Sequence, residues 1–176
     1  MVRVIAGELG GRKLASVPGR DVRPTSDRVR EAMFNSLESR NLVAGAHVLD
    51  LYAGTGALGI EALSRGAAHA TFVDADRRAG QVIRANLAAL GAEDRATVLV
   101  SDAAAYVQRT PARFDLALLD PPYHDESWYQ VLVALSAAVA VVESGASPDP
   151  PDGWTVLHQR RYGRTHVTLF ERVDGP

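Results

Sequence analysis

Val48-Leu49-Asp50-Leu51-Tyr52-Ala53-Gly54-Thr55-Gly56-Ala57-Leu58-Gly59 reads as an apolar strand that ends in an acid, a glycine-rich turn and the start of a helix. Glycine lets a backbone turn sharply and pass close to a ligand. Gly54, Gly56 and Gly59 spell G-x-G-x-x-G, which taken alone is a weak sign of a nucleotide-binding βαβ unit. The same alternation repeats downstream. Strands at about 69–74, 96–101 and 114–119 end in or just before Asp74, Asp102 and Asp120, and the helices between them stop at Gly66 and Gly91. Each strand thus leaves a carboxylate at its C-terminal end, the edge where open parallel sheets bind ligands. The predicted fold is α/β and Rossmann-like: a seven-stranded, mostly parallel sheet with helices on both faces.

Beyond residue 123 the pattern loosens. Residues 127–135 read as helix and 139–143 as strand, yet no Gly or Pro marks the loop of about 2–6 residues that usually joins such elements. Either the helix runs on to about 142 or a loop is absent. Residues 145–153, rich in Pro and Asp, form a surface loop, and 154–158 and 166–171 pair as a hairpin around a turn at 162–164. Upstream, residues 2–14 read as a small hairpin turning at Gly10-Gly11. A helix then begins at Ser26 or Asp27, with Val29, Ala32, Met33 and Leu37 on one face. The expected division is a basic hairpin extension over 1–25 and the Rossmann-like domain over 26–176.

The chain of 176 residues has a formal net charge of −2, no cysteine and five scattered histidines. Disulfides and thiolate metal sites are thereby excluded, and a bound metal is not expected. There is no apolar run of the roughly 18 residues that would span a bilayer and no secretory signal, so a cytoplasmic protein without membrane contact is expected. Charge is unevenly spread: residues 1–30 carry seven Arg and Lys against three Asp and Glu, a net of +4 that leaves −6 for the rest. A basic N-terminus on an acidic body suits an arm that contacts nucleic-acid phosphates, although a solvated arginine-rich tail has the same composition.

Asp50 decides what the glycine loop binds. A carboxylate just ahead of the turn would repel a pyrophosphate but can hold, directly or through water, the ammonium of a methionine moiety. Asp74, 20 residues after Gly54, has the position of a ribose-binding acid, and Asp102 can accept from an adenine amino group. Each acid could instead serve as a helix N-cap, but all of them together with the loop point to S-adenosylmethionine, held by Asp50, Ala53, Gly54, Gly56, Asp74, Ala75, Asp102 and Ala103, with Asp120 at its edge. The run Phe114-Asp115-Leu116-Ala117-Leu118-Leu119-Asp120-Pro121-Pro122-Tyr123 is more specific still. Two prolines end a buried strand in a rigid loop, and in-line methyl transfer depends on positioning. An exocyclic base amine is a poor nucleophile because its lone pair is delocalised. Asp120 and the Pro121 carbonyl can hold its two hydrogens, Asp120 can stabilise the charge that develops, and Tyr123, beside Pro122, offers a ring for a splayed-out base.

Asp-Pro-Pro-Tyr after a glycine loop resembles the amino-directed methyltransferases. The segments Arg3-Val4-Ile5-Ala6-Gly7, Gly11-Arg12-Lys13-Leu14, Arg23-Pro24-Thr25-Ser26-Asp27-Arg28-Val29-Arg30-Glu31-Ala32-Met33-Phe34-Asn35 and Leu51 through Gly66 resemble the RsmD family of bacterial 16S ribosomal RNA guanine-N2 methyltransferases. The resemblance implies the class I methyltransferase fold and S-adenosylmethionine as cofactor. It also implies methylation of guanine 966 in 16S rRNA, within the 30S subunit or an assembly intermediate; a monomer is expected, though the sequence does not fix the oligomeric state. Asp120, Pro121 and Tyr123 would hold the guanine amine, with Arg3, Arg12, Lys13, Arg23, Arg28, Arg30, Pro122 and Tyr123 on the RNA. The chain departs from the family at the short connection near 135–139. The rival readings are a DNA adenine-N6 methyltransferase, which shares the tetrapeptide but would need room for a recognition domain, a protein-glutamine methyltransferase, and a non-catalytic RNA-binding protein on the same fold.

Overall fold

Alternation of apolar strands with helices produces the layered sheet that the sequence predicts. The computed structural model describes residues 1–19 and 25–173. In chain order the elements are β1 (Val2–Arg3), β2 (Lys13–Leu14), α1 (Asp27–Glu38), β3 (His47–Leu51), α2 (Ala57–Ser64), β4 (His69–Asp74), α3 (Arg77–Leu90), β5 (Ala96–Val100), α4 (Ala103–Arg109), β6 (Phe114–Leu119), α5 (Trp128–Ala134), β7 (Ala137–Ser144), β8 (Trp154–Tyr162) and β9 (Thr165–Arg172). The main sheet has seven strands in the order β5-β4-β3-β6-β7-β9-β8. The first five are parallel, and β9 and β8 add on antiparallel as a hairpin. The strand order reverses between β3 and β6, so the crevice for a ligand lies beyond their C-terminal ends.

The two faces carry different helices. Val48, Phe72, Leu116, Leu118, Val139 and Val141 pack with the apolar residues of α1, α2 and α3, whereas Leu49, Leu51, Val73, Leu119 and Val142 pack with those of α4 and α5. α1 starts where Ser26 accepts the Val29 N–H at 3.3 Å, an N-cap.

The connection that looked too short is closed by side chains. Helix α5 ends at Ala134, Leu135 takes an extended conformation (φ −70°, ψ 131°), and β7 begins at Ala137; the helix does not run on to 142. A helix end leaves carbonyls without partners. Here the Trp154 indole donates to the Leu132 carbonyl at 3.1 Å and the Arg172 guanidinium to that of Leu135, while Arg172 stacks over Trp154 at 4.6 Å. Side chains of β8 and β9 thus do what a glycine cap would have done.

The N-terminal hairpin is docked on the body. Glu61, 0% exposed, accepts from the backbone N–H of Ile5 at 2.7 Å and of Ala6 at 3.1 Å and pairs with Arg65 at 2.8 Å. Arg65 in turn reaches Glu38 at 2.6 Å and Asn35 at 3.0 Å and lies over the Phe34 ring. Asn86 on α3 accepts from Ala15 N–H at 2.8 Å and donates to the carbonyls of Ala15 and Thr55, linking the hairpin to the glycine loop. Removing one partner of a buried ion pair costs about 3–5 kcal/mol. Glu61→Ala should therefore lower unfolding free energy by about that much in a denaturant titration. A loss below about 1 kcal/mol, the worth of an exposed pair, would show that Glu61 is not what holds the hairpin.

Candidate active site

The glycine loop is shaped by two steric demands. Gly56 has φ +80°, a left-handed conformation that side chains disfavour. At Gly59 an added Cβ would lie 2.3 Å from the Phe72 ring, so only glycine lets α2 pack this closely on β4. Tyr52 also takes a positive φ, +59°, a strained state for a bulky residue and one that gathers at functional turns. Its hydroxyl is buried without a hydrogen-bond partner. Burial raises its pKa above the ordinary value, with the Ser127 hydroxyl pulling the other way.

The acids hold this loop together. Asp50, 1% exposed, accepts the Gly59 N–H at 2.8 Å, satisfying a donor in the first turn of α2. Asp74 accepts from Gly54 N–H at 2.8 Å and from Asp76 N–H at 2.9 Å. The Ala53 N–H donates to the Val73 carbonyl at 3.1 Å, and Ala75 follows Asp74 on the surface. Burial is the main reason the Asp50 carboxyl titrates well above the usual carboxylate range. The charges of Asp120 and Asp74 push it further up, against the Gly59 hydrogen bond. Asp102 is the N-cap of α4, accepting the Ala105 N–H at 2.9 Å, so one of its oxygens already serves the helix; Ala103 is buried behind it.

Beyond β6, a cleft of about 670 Å³ is lined by Asp120, Pro121, Pro122, Tyr123, Asp125, Trp128, Tyr129, Glu143, Gly145 and Pro148, among others. Tyr123 is 62% exposed, and its hydroxyl shares a 2.8 Å hydrogen bond with that of Thr165 in the β8–β9 hairpin. Gly145 sits against the ring, where a Cβ would come to 3.3 Å. The Thr25 hydroxyl lies 2.6 Å from Glu143 Oε2 and 3.2 Å from Asp120 Oδ2. Burial raises the Glu143 carboxyl above its ordinary value, and the Thr25 hydrogen bond offsets part of that rise.

The basic residues fare unevenly. Arg30 is corrected from surface to interior. It is 1% exposed and donates to the Arg3 carbonyl and, at 3.1 Å, to Asp27, so it braces α1 against the hairpin and cannot touch RNA. Arg3 pairs with Asp27 at 3.0 Å, and Arg12 donates to the Ala89 carbonyl at 2.8 Å. Lys13 and Arg28 are exposed, whereas Arg23 lies outside the described residues. Sequence reading passed over Thr25, Glu143 and the exposed Arg161 and Arg164, which flank the β8–β9 turn beside Thr165. A fifth acid at a strand end and three arginines within residues 160–164 were the available signals. Among the described residues no group of His, Asp and Glu could hold a metal ion, and no helix is long and apolar enough to cross a membrane.

A mostly parallel sheet of this order, with a glycine loop at its switch point and Asp-Pro-Pro-Tyr after the adjacent strand, is that of the Rossmann-like methyltransferases. The family model described as conserved hypothetical protein 95 matches residues 2–171. The chain belongs to this family, the RsmD family that its motifs resemble. It is 35% identical over 183 positions to the ribosomal RNA small subunit methyltransferase D of Escherichia coli K12, covering 97% of this chain and 90% of that one. To the Haemophilus influenzae protein of the same name it is 31% identical, with 97% and 93% covered. A solved structure from Escherichia coli, described as a candidate methyltransferase, superposes with a TM-score of 0.87 at 35% identity over 99% of both chains.

The Asp50 shift has a consequence for stability. A carboxyl whose pKa rises on folding loses stability as pH climbs from its unfolded value of about 3.9 towards the raised folded one, and above that the penalty is complete. Asn can still accept the Gly59 N–H and carries no charge. Asp50→Asn should therefore melt above the wild type at neutral pH, with the gap closing as pH falls towards 4 (about the unfolded Asp value). A gap that does not change with pH in thermal scans would remove the charge explanation.

Proposed function

We propose that this protein is an S-adenosylmethionine-dependent ribosomal RNA methyltransferase that modifies the exocyclic N2 of a guanine in 16S rRNA, at the position numbered 966. The observation that carries the reading is the cleft beyond β6, lined by Asp120, Pro121 and the exposed Tyr123 ring, at the end of the strand that pairs with β3, from which the glycine loop springs. The names of the relatives support an rRNA substrate.

The site fits a cationic nucleoside. Asp50, Asp74 and Asp120 stand close enough to raise the cost of ionising Asp50, and a ligand bearing ammonium and sulfonium charge would relieve that repulsion. Asp50, Ala53, Gly54, Gly56, Asp74, Ala75, Asp102 and Ala103 would hold it. Asp74, at the end of β4, would face the ribose hydroxyls, and Asp102, which gives one oxygen to the α4 cap, would accept from the adenine amine with the other. Bound there, S-adenosylmethionine supplies an electrophilic methyl group.

The chain's own work is to present the nucleophile. Tyr123, pinned through its hydroxyl to Thr165, stacks on a base turned out of its helix. Asp120 and the Pro121 carbonyl accept the two N2 hydrogens, which steers the nitrogen lone pair towards the methyl group, and the Asp120 charge stabilises positive charge developing on nitrogen. Lys13 and Arg28, with Arg161 and Arg164 at the hairpin tip, supply phosphate contacts. Arg3 and Arg12 contribute less, since both already serve the hairpin.

Methyl label should pass from S-adenosylmethionine to small subunits or 16S rRNA lacking the modification, with mass spectrometry placing N2-methylguanine at position 966; label entering adenine of duplex DNA alone would overturn the proposal. Asp120→Ala should abolish turnover and leave cofactor binding by calorimetry nearly intact, and unchanged turnover would remove its role. Lys13→Ala should weaken RNA binding and reduce the salt slope of log K by about 1. An unchanged slope would place Lys13 off the RNA.

A further inference from the structure

Glu143 has no part in the mechanism above, yet it stands next to the residue that does. Leu119 pairs with Val142 across β6 and β7, so one residue further on Asp120 and Glu143 are cross-strand neighbours. Strand alternation places Glu143 on the face of Val139 and Val141, the side from which Thr25 approaches. Both carboxylates line the cleft with Tyr123. A hydroxyl has one proton to give, and the 2.6 Å contact directs that of Thr25 to Glu143 Oε2, with Asp120 Oδ2 at 3.2 Å. Thr25 therefore fixes one Glu143 oxygen and leaves the other for the cleft.

The Watson–Crick edge of guanine carries N1–H beside the N2 amine, donors on adjacent ring positions. Adenine carries a bare N1 lone pair beside its amine. Two carboxylates side by side match the first edge and oppose the second. We infer that Glu143 accepts the N1–H of the target base while Asp120 holds its amine, making the Asp120–Glu143 pair the element that selects guanine over adenine. This rests on the guanine-N2 reading above. The selectivity comes from hydrogen bonding: a site built to accept a proton rejects a base that presents a lone pair there, because a partly buried carboxylate is left unpaired. An adenine-directed enzyme with the same tetrapeptide would gain nothing from an acid at this place.

RNA carrying 2-aminopurine at the target position tests the inference, since that base keeps the 2-amino group and lacks N1–H. The wild type should methylate guanine RNA more efficiently by about 10- to 100-fold in kcat/KM, the worth of one hydrogen bond to a charged group. Glu143→Ala should lose activity on guanine while the ratio between the two bases collapses to near unity. Glu143→Gln, whose amide can also donate, should narrow the ratio by gaining on 2-aminopurine. Cofactor affinity, measured by calorimetry, should be unchanged in both variants. Equal wild-type rates on the two bases, which need no variant to observe, would overturn the assignment. So would variants that lose activity on both bases in equal proportion, since Glu143 would then act only by positioning Asp120 through Thr25. Absence of wild-type transfer to guanine RNA would instead overturn the guanine-N2 reading itself.

Discussion

Side chains of successive strand residues point to opposite faces, and β4, β3, β6 and β7 are hydrogen-bonded in parallel register. Asp50 pairs across with Phe72 and Leu118, Asp74 lies two residues after Phe72, Asp120 two after Leu118, and Glu143 two after Val141. All four acids therefore emerge on the face that carries α1, α2 and α3, along one edge of the sheet. A slip of one residue in any pairing would turn its acid to the opposite face. The chemistry of the crevice is in this sense a product of register, and register is enforced by the apolar residues that alternate with the acids and have no other place to go.

The N-terminal segment completes that edge. Its hairpin is tied by Glu61 and Asn86 to α2 and α3, and its other end delivers Thr25 to Asp120 and Glu143. Charge that looked available for RNA is largely spent here, since Arg3, Arg12 and Arg30 each bond to protein partners. Composition correctly flagged a basic N-terminus, but it could not separate arginines that build a structure from those that face solvent. A cation's burial depends on its three-dimensional contacts: Arg30 is held between Asp27, three residues away, and the Arg3 carbonyl, and a charge count registers the acid without the contact.

Legibility followed the range of the forces involved. Helices α1 and α3 and strands β4 and β6 were readable because periodicity, Ser26, Gly91 and the Pro121-Pro122 stop act within a few residues. The end of α5 was not, because its carbonyls are satisfied by Trp154 and Arg172, about twenty and forty residues away (loop-closing distances at which sequence gives no local cap signal). Asp50, Asp74 and Asp120 were found through the glycines and prolines beside them. Glu143, one residue short of the end of β7, has no glycine or proline next to it, and Thr25 looked like one more residue of a family motif. Asp102 caps α4 through one oxygen, the alternative that a strand-end acid ahead of a helix always offers.

The placement of charge also orders what the site can accept. An acid cluster at a crevice repels phosphate, so in a chain of net charge −2 the proposed RNA contacts fall to exposed cations away from it. Lys13, Arg28, Arg161 and Arg164 are exposed, while the acids sit at the strand ends with Asp50 fully enclosed and resisting ionisation. A cation in the proposed cofactor pocket would lower the repulsion among Asp50, Asp74 and Asp120 that adds to the cost of ionising Asp50. The same cation makes the crevice less hostile to the polyanion that brings the base. On the proposed function, cofactor and RNA would be coupled through the acids: each should bind more tightly when the other is present, by the same factor in both directions.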